Sequence, residues 1–310
     1  MNQWQLYIMD SLKFKAWVNA ARLRTLPLAL SSSLMGSFAA FQDGPFKWNV
    51  FGLALLTTLF LQILSNLAND YGDSVNGADN AERIGPARAV QSGKISAFEM
   101  KRAVMITSVL AFICGILLIG AGVGYGNWLP WIVFLLVGLL AIAAAILYTA
   151  GSNPYGYKGF GDLFVFLFFG ITAVFGTYYL HTGTLRVLTL LPAVTIGFLS
   201  TAVLNLNNMR DIEGDARSGK RTMVVLMGSS YAKIYHSIMV IGALVALIIW
   251  SLMHYKSLWQ FLFLLAIPLF LLHLLMVFRN KVPAVLDPQL KILAFSTFVL
   301  VLLFGMGLLF

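Results

Sequence analysis

Residues 66–90 read "NLANDYGDSVNGADNAERIGPARAV". About twenty uncharged residues precede this stretch, and then Asp70, Asp73, Asp79 and Glu82 arrive within thirteen positions. An apolar run of that length is enough to cross lipid as a helix. The carboxylates at its end therefore mark a membrane surface, and the fold follows from repeating that measurement along the chain. The composition agrees: 59% of residues are hydrophobic and 11% charged, where a soluble domain carries about 25% charged residues.

Nine uncharged segments have the character of membrane helices: 26–42, 50–69, 103–124, 128–150, 163–185, 187–209, 234–255, 257–278 and 292–310. The expected fold is an all-α membrane protein in one domain, 1–310. Residues 1–24, with Trp4, Leu6 and Trp17 among Lys13, Lys15, Arg22 and Arg24, read as a lead-in lying in the interface. They lack the short apolar core of a signal peptide. Placing the N-terminus on one side puts 18 of the 21 Lys and Arg there, leaving Lys47, Arg186 and Lys256 opposite. Basic loops stay in the cytoplasm, so the N-terminus is expected there, in a cell (plasma) membrane. The net charge of +9 is read as this bias, not as a nucleic-acid surface. Cys114 is the only cysteine, and the four histidines are scattered.

The acids need a different explanation, because Asp and Glu contribute little to orientation. All but Asp43 fall on the basic side. Asp70 and Asp73, three apart, share a helix face, and so do Asp211 and Asp215, four apart, in "NLNNMRDIEGDARSGKRT" (205–222). "NLAND" (66–70) resembles "NLNNM" (205–209), and "GDSVNG" (72–77) resembles "GDARSG" (214–219). This suggests two four-helix halves with a ninth helix appended, and pairing them brings both clusters, in motif loops 70–102 and 210–233, to one cavity mouth. Clustered carboxylates near lipid are costly unless a cation neutralises them. Hard oxygen ligands suit Mg2+, Ca2+ or Mn2+, and Mg2+ commonly shares its shell with a substrate phosphate.

"NDYGDSVNGAD" and "DIEGD" resemble the two aspartate-rich motifs of the UbiA-type intramembrane prenyltransferases. "RIGPARAVQSGKIS", "YGYKGFGDLFVFLFFG" and "NLNNMRDIEGDARSGKRT" are most similar to the branch acting on 1,4-dihydroxy-2-naphthoate. Two departures stand out: Asp79 falls two residues later than the family's general first motif requires, and Tyr155 is three rather than four residues before Lys158.

The resemblance implies transfer of a polyprenyl chain from its diphosphate to the naphthoate with decarboxylation, giving demethylmenaquinone. It implies Mg2+, two ions held through the diphosphate. Asp70, Asp73, Asp211 and Asp215 would carry catalysis, and Asn69, Asp70, Asp73, Asp79, Asp211 and Asp215 the metal. Arg22, Arg88, Lys94, Lys158, Arg210, Lys220 and Arg221 would hold the diphosphate. The tail would lie in an apolar crevice open to lipid, with Phe164, Phe166, Phe168 and Phe169 as candidate lining. The alternatives are the same chemistry on another ring, such as 4-hydroxybenzoate, and a cation transporter. Against the transporter, the acids sit at span ends, not at the midplane where transporter sites lie.

Overall fold

A computed structural model of the chain describes residues 3–77 and 88–310, with side chains from residue 12 onward. Among the described residues every regular element is helical. In chain order these are α1 (Gln3–Ala21), α2 (Leu26–Phe41), α3 (Trp48–Val75), α4 (Ala97–Val123), α5 (Trp128–Leu147) and α6 (Gly161–Thr182). Then come α7 (Leu190–Arg210), α8 (Ile212–Arg217), α9 (Met223–Met253), α10 (Leu258–Arg279) and α11 (Asp287–Gly307). Over Phe166–Phe175 α6 widens into a π-helix. Asp79 lies outside the described residues.

Eight of the described helices are long and apolar enough to cross a membrane. The first expected span, 26–42, is α2, which has only 16 residues, a length of about 24 Å. Its position is central nonetheless: it packs against α3, α6, α7 and α11. The reason is its sequence, "LPLALSSSLMGSFAAF". In lipid, small residues let helix backbones approach closely. Ser31, Ser32, Ser33 and Ser37 are all buried, their polarity absorbed locally: Ser31 Oγ donates to the Pro27 carbonyl at 2.7 Å, and Ser33 shares a hydrogen bond with Thr58 of α3.

α4 and α9 begin well before the uncharged runs, because Glu99, Lys101 and Arg102 in the one and Lys233 in the other interrupt those runs inside the helix. α4 starts at Ala97 instead of 103, fixed by a reciprocal cap in which the Ser96 hydroxyl accepts Glu99 N–H and the Glu99 carboxylate accepts Ser96 N–H. α9 starts at Met223 instead of 234; the Thr222 hydroxyl accepts Val225 N–H, and the helix kinks at Gly228, φ +78°. The expected motif loops, 70–102 and 210–233, are therefore helical at their edges, and the second also contains α8. The N-terminal lead-in is the helix α1. Its Ala16 and Ala20 are buried against Leu64, Leu67 and Ala68 of α3 and Met100 of α4, so it rests across the ends of those two helices.

The larger core surrounds α7, where Ile196, Leu199, Ala202 and Leu206 have no exposed surface. α3 runs three residues past Gly72, which touches the chain just after α5. A Cβ there would come within 2.6 Å of the Thr149 carbonyl carbon. This close approach brings the first acidic motif against the α5–α6 connection.

Candidate active site

The ends of α3 and α7 open into one cavity of about 440 Å3. Asn69, Asp73, Asp211 and Asp215 all line it, so the two acidic motifs do converge. Asp73 is almost fully buried and is held by three donors. Arg88 Nη2 donates to Oδ2 at 2.8 Å, while Tyr157 Oη and Lys220 Nζ donate to Oδ1 at 2.7 and 3.1 Å. Lys220 also lies 3.9 Å from Asp215 Oδ1 and 4.6 Å from the centre of the Tyr157 ring. A single ammonium thus reaches both motifs. The Tyr157 carbonyl accepts Arg221 N–H at 2.8 Å, which ties the α5–α6 connection to the second motif.

Asp70 does something else. Its Oδ2 accepts Ala89 N–H at 3.0 Å and its Oδ1 accepts Val90 N–H at 3.1 Å. The side chain does not line the cavity. It clamps the backbone immediately after Arg88, and so fixes the guanidinium that pairs with Asp73. Arg210 has a similar supporting position. It is 1% exposed and forks onto Asp211, with Nε to Oδ1 at 2.9 Å and Nη2 to Oδ2 at 2.6 Å. Its Nη1 donates to Asp287 Oδ1 at 2.6 Å. All of its donors face protein, so it orients Asp211 and does not itself reach the cavity.

Of the basic residues expected to hold a diphosphate, Arg22, Arg88 and Lys220 line the cavity; Lys94, Lys158 and Arg221 are exposed outside it. Arg24, Arg217, Lys291 and Tyr157 line it as well and were not anticipated. Tyr157 stood in the quoted "YGYKGFGD" stretch. Lys291, at the start of α11, has no local signal that separates it from a topology residue. Arg22 adopts a left-handed backbone, φ +49°, a strained conformation for a side chain of this kind. Thr25 holds it by donating both N–H and Oγ to the Arg22 carbonyl, at 2.8 and 2.9 Å. Asn66 Nδ2 in turn donates to Thr25 Oγ1 and to the Ala21 carbonyl.

Away from this charged mouth the cavity is apolar, bounded by α3, α4, α5 and α6. Phe164, Phe168 and Phe169 line it. Phe166 turns away onto Phe198 of α7, ring centres 5.5 Å apart. Phe112 of α4 and Leu139 of α5 line the cavity yet remain 40% and 45% exposed, so it opens sideways between those helices. Near the mouth, burial pushes the Tyr155 phenol up from its ordinary range, which keeps it protonated.

Among the described residues no three carboxylate, imidazole or thiol groups assemble into a ready-made metal cage. What the cavity offers is a set of hard oxygens on one wall: Asn69, Asp73, Asp211 and Asp215. That donor set fits Mg2+ bound partly by protein carboxylates and partly by phosphate.

The UbiA prenyltransferase family model matches residues 29–299. The chain is 44% identical over 294 residues to the 1,4-dihydroxy-2-naphthoate octaprenyltransferase of Escherichia coli (strain K12), covering 95% of each. It is 43% identical over 299 residues to the Haemophilus influenzae protein of the same name, covering 96% of each. A UbiA homolog from Archaeoglobus fulgidus, solved bound to GPP and Mg2+, shares the fold with a TM-score of 0.61 at 16% identity, over 93% of this chain and 99% of that one. With this extent of match added to the paired motifs at one cavity mouth, the chain belongs to the UbiA prenyltransferase family.

Proposed function

We propose that the protein transfers a polyprenyl group from its diphosphate to 1,4-dihydroxy-2-naphthoate. The observation that carries this is the continuity of one cavity: a charged mouth where Lys220 joins the two acidic motifs, and an apolar body open toward lipid. Relatives at 43–44% identity are named for transfer to this naphthoate.

In the transfer, the allylic C–O bond breaks and its electron pair leaves with the diphosphate. The ring carbon bearing the carboxylate forms the new C–C bond, and carbon dioxide departs as the ring recovers aromaticity. No electrons are lost, so the first product is the quinol, which oxidises to demethylmenaquinone. Asp73, Asp211 and Asp215, with Asn69, would hold Mg2+, whose chemistry when bound is to neutralise charge growing on the leaving group; we take this to be two ions. Arg22, Arg88 and Lys220 bind the diphosphate oxygens directly, joined by Arg24, Arg217 and Lys291. Asp70 and Arg210 position Arg88 and Asp211. The apolar body around Phe164, Phe168 and Phe169 takes the tail and excludes water from the cation.

The chain's topology follows the same reading: α2 is the first of nine crossings, the halves pair as a repeat of four helices plus α11, and α1 with the charged mouth faces the cytoplasm across a plasma membrane. The test uses purified protein, Mg2+, a polyprenyl diphosphate and equal concentrations of the naphthoate and 4-hydroxybenzoate. Diphosphate release with prenylated naphthoate as the dominant product is the expected result. A dominant 4-hydroxybenzoate product would reassign the acceptor.

A further inference from the structure

Two of the four histidines meet inside the protein, behind the walls of the cavity. His236 of α9 and His273 of α10 are 0% and 1% exposed, and their Nε2 atoms lie 2.9 Å apart. His273 Nδ1 is 2.9 Å from Gln289 Oε1 of α11, and Gln289 Nε2 donates to Met276 Sδ of α10 at 3.0 Å. An amide oxygen only accepts, so His273 Nδ1 carries a proton. An uncharged imidazole has one N–H, which leaves His273 Nε2 bare to accept from His236 Nε2. Donation therefore runs one way, from His236 through His273 and Gln289 to Met276, and joins three helices. One turn before His236, Lys233 Nζ donates to the Phe278 and Asn280 carbonyls, so α9 grips the end of α10 at two levels.

The line ends beside the site. Gln289 stands at the start of α11, between Asp287 and Lys291. Asp287 and Lys291 are four apart and share a helix face, whereas Gln289, two residues from each, points from the opposite one. On the site's side, Asp287 Oδ1 takes Arg210 Nη1 at 2.6 Å, Asp287 Oδ2 lies 3.6 Å from Arg24 Nη1, and Lys291 lines the cavity. On the far side, His273 holds Gln289. The first turn of α11 has no side-chain cap of its own, and an uncapped turn leaves its N–H groups without partners and frays. Its position therefore depends on the groups that grip it from both faces. The consequence reaches a motif aspartate: Arg210 forks Nε and Nη2 onto Asp211 and directs Nη1 to Asp287. When Asp287 drifts, the guanidinium that orients Asp211 loses its outer support.

We infer that His273 and Gln289 are positioning residues: they fix the first turn of α11 and, through Asp287 and Arg210, set Asp211 for Mg2+. The role rests on the ion-and-diphosphate site proposed above and adds residues that lie outside it. The readout is equilibrium binding of a non-reacting geranyl diphosphate analogue to the full chain in detergent as Mg2+ is titrated. Gln289→Met is expected to raise the half-saturating Mg2+ concentration about fivefold, the scale of one net hydrogen bond. An Asn amide puts an N–H where histidine carries Nδ1, and a Gln amide reaches the place of Nε2. His273→Asn, which keeps the contact to Gln289, therefore stays within about twofold of the parent chain. His273→Gln, which keeps only the contact to His236, is as weak as Gln289→Met. In a chain that already carries Asp287→Asn, Gln289→Met adds no further loss, because the two act in one line. Variants that lower the thermal midpoint and leave the Mg2+ dependence unchanged overturn the inference, and so do equal losses in His273→Asn and His273→Gln. A parent chain that binds the analogue with Mg2+ yet forms no prenylated naphthoate sinks the transfer and leaves the positioning role standing.

Discussion

At the scale of single residues, the two aspartates of the first motif divide their labour. They are three apart on one helix, so sequence periodicity gives them a common face and a common role. What separates them is tertiary: residues 88–90 return to α3, and their amides take both oxygens of Asp70, leaving Asp73 to face the cavity. Nothing local in the sequence encodes that return. Asp73→Ala is expected to abolish turnover and to destabilise the fold by about 3–5 kcal/mol, because it removes the buried carboxylate that pairs with the Arg88 guanidinium. Asp70→Ala is expected to reduce turnover while shifting the Mg2+ concentration for half-maximal activity less than Asp215→Ala does. A Mg2+ titration of the three variants checks both; an Asp70→Ala shift as large as that of Asp215→Ala would make Asp70 a metal ligand. Among the basic residues, Lys94→Ala should retain activity within about twofold, as an exposed charge outside the site, whereas Lys220→Ala should lose at least tenfold in kcat/KM for the prenyl diphosphate.

At the scale of the helices, the apolar lengths were legible and their ends were not. Counting uncharged residues locates the part of each helix in hydrocarbon, but α4 and α9 continue beyond it through charged turns, where Lys101 and Arg102 are exposed and Lys233 donates to the Phe278 and Asn280 carbonyls. The cap at Ser96 and Glu99 is a visible sequence signal that a lipid-length count passes over. Ser96→Ala should cost about 1 kcal/mol, read as a lower thermal midpoint with activity retained. Gly72→Ala acts differently. The added methyl meets the Thr149 backbone, an overpacking that typically costs about 1–3 kcal/mol. It pushes α3 away from the connection that carries Tyr157. Both thermal stability and kcat are therefore expected to fall, and a fully active Gly72→Ala variant would show that this contact does not set the position of Asp73.

At the scale of the whole molecule, the convergence of two motifs some 140 positions apart was readable because they look alike, each closing an uncharged span with Asn and Asp. A crevice open to lipid was expected, but which helices flank its opening was not readable, since Phe112 and Leu139 sit in runs as apolar as any that face lipid. Leu139→Trp, which narrows that opening, should lower kcat/KM for a long polyprenyl diphosphate more than for geranyl diphosphate; equal losses would place the tail elsewhere. The central claim is that both motifs serve one ion-and-diphosphate site. Its most direct test is equilibrium binding of a non-reacting prenyl diphosphate analogue with Mg2+ to Asp73→Asn, Asp215→Asn and the double variant. Residues that act as one unit are not additive, so each single variant should lose nearly as much affinity as the double. Losses that sum, or a single variant that binds like the parent chain, would contradict a shared site.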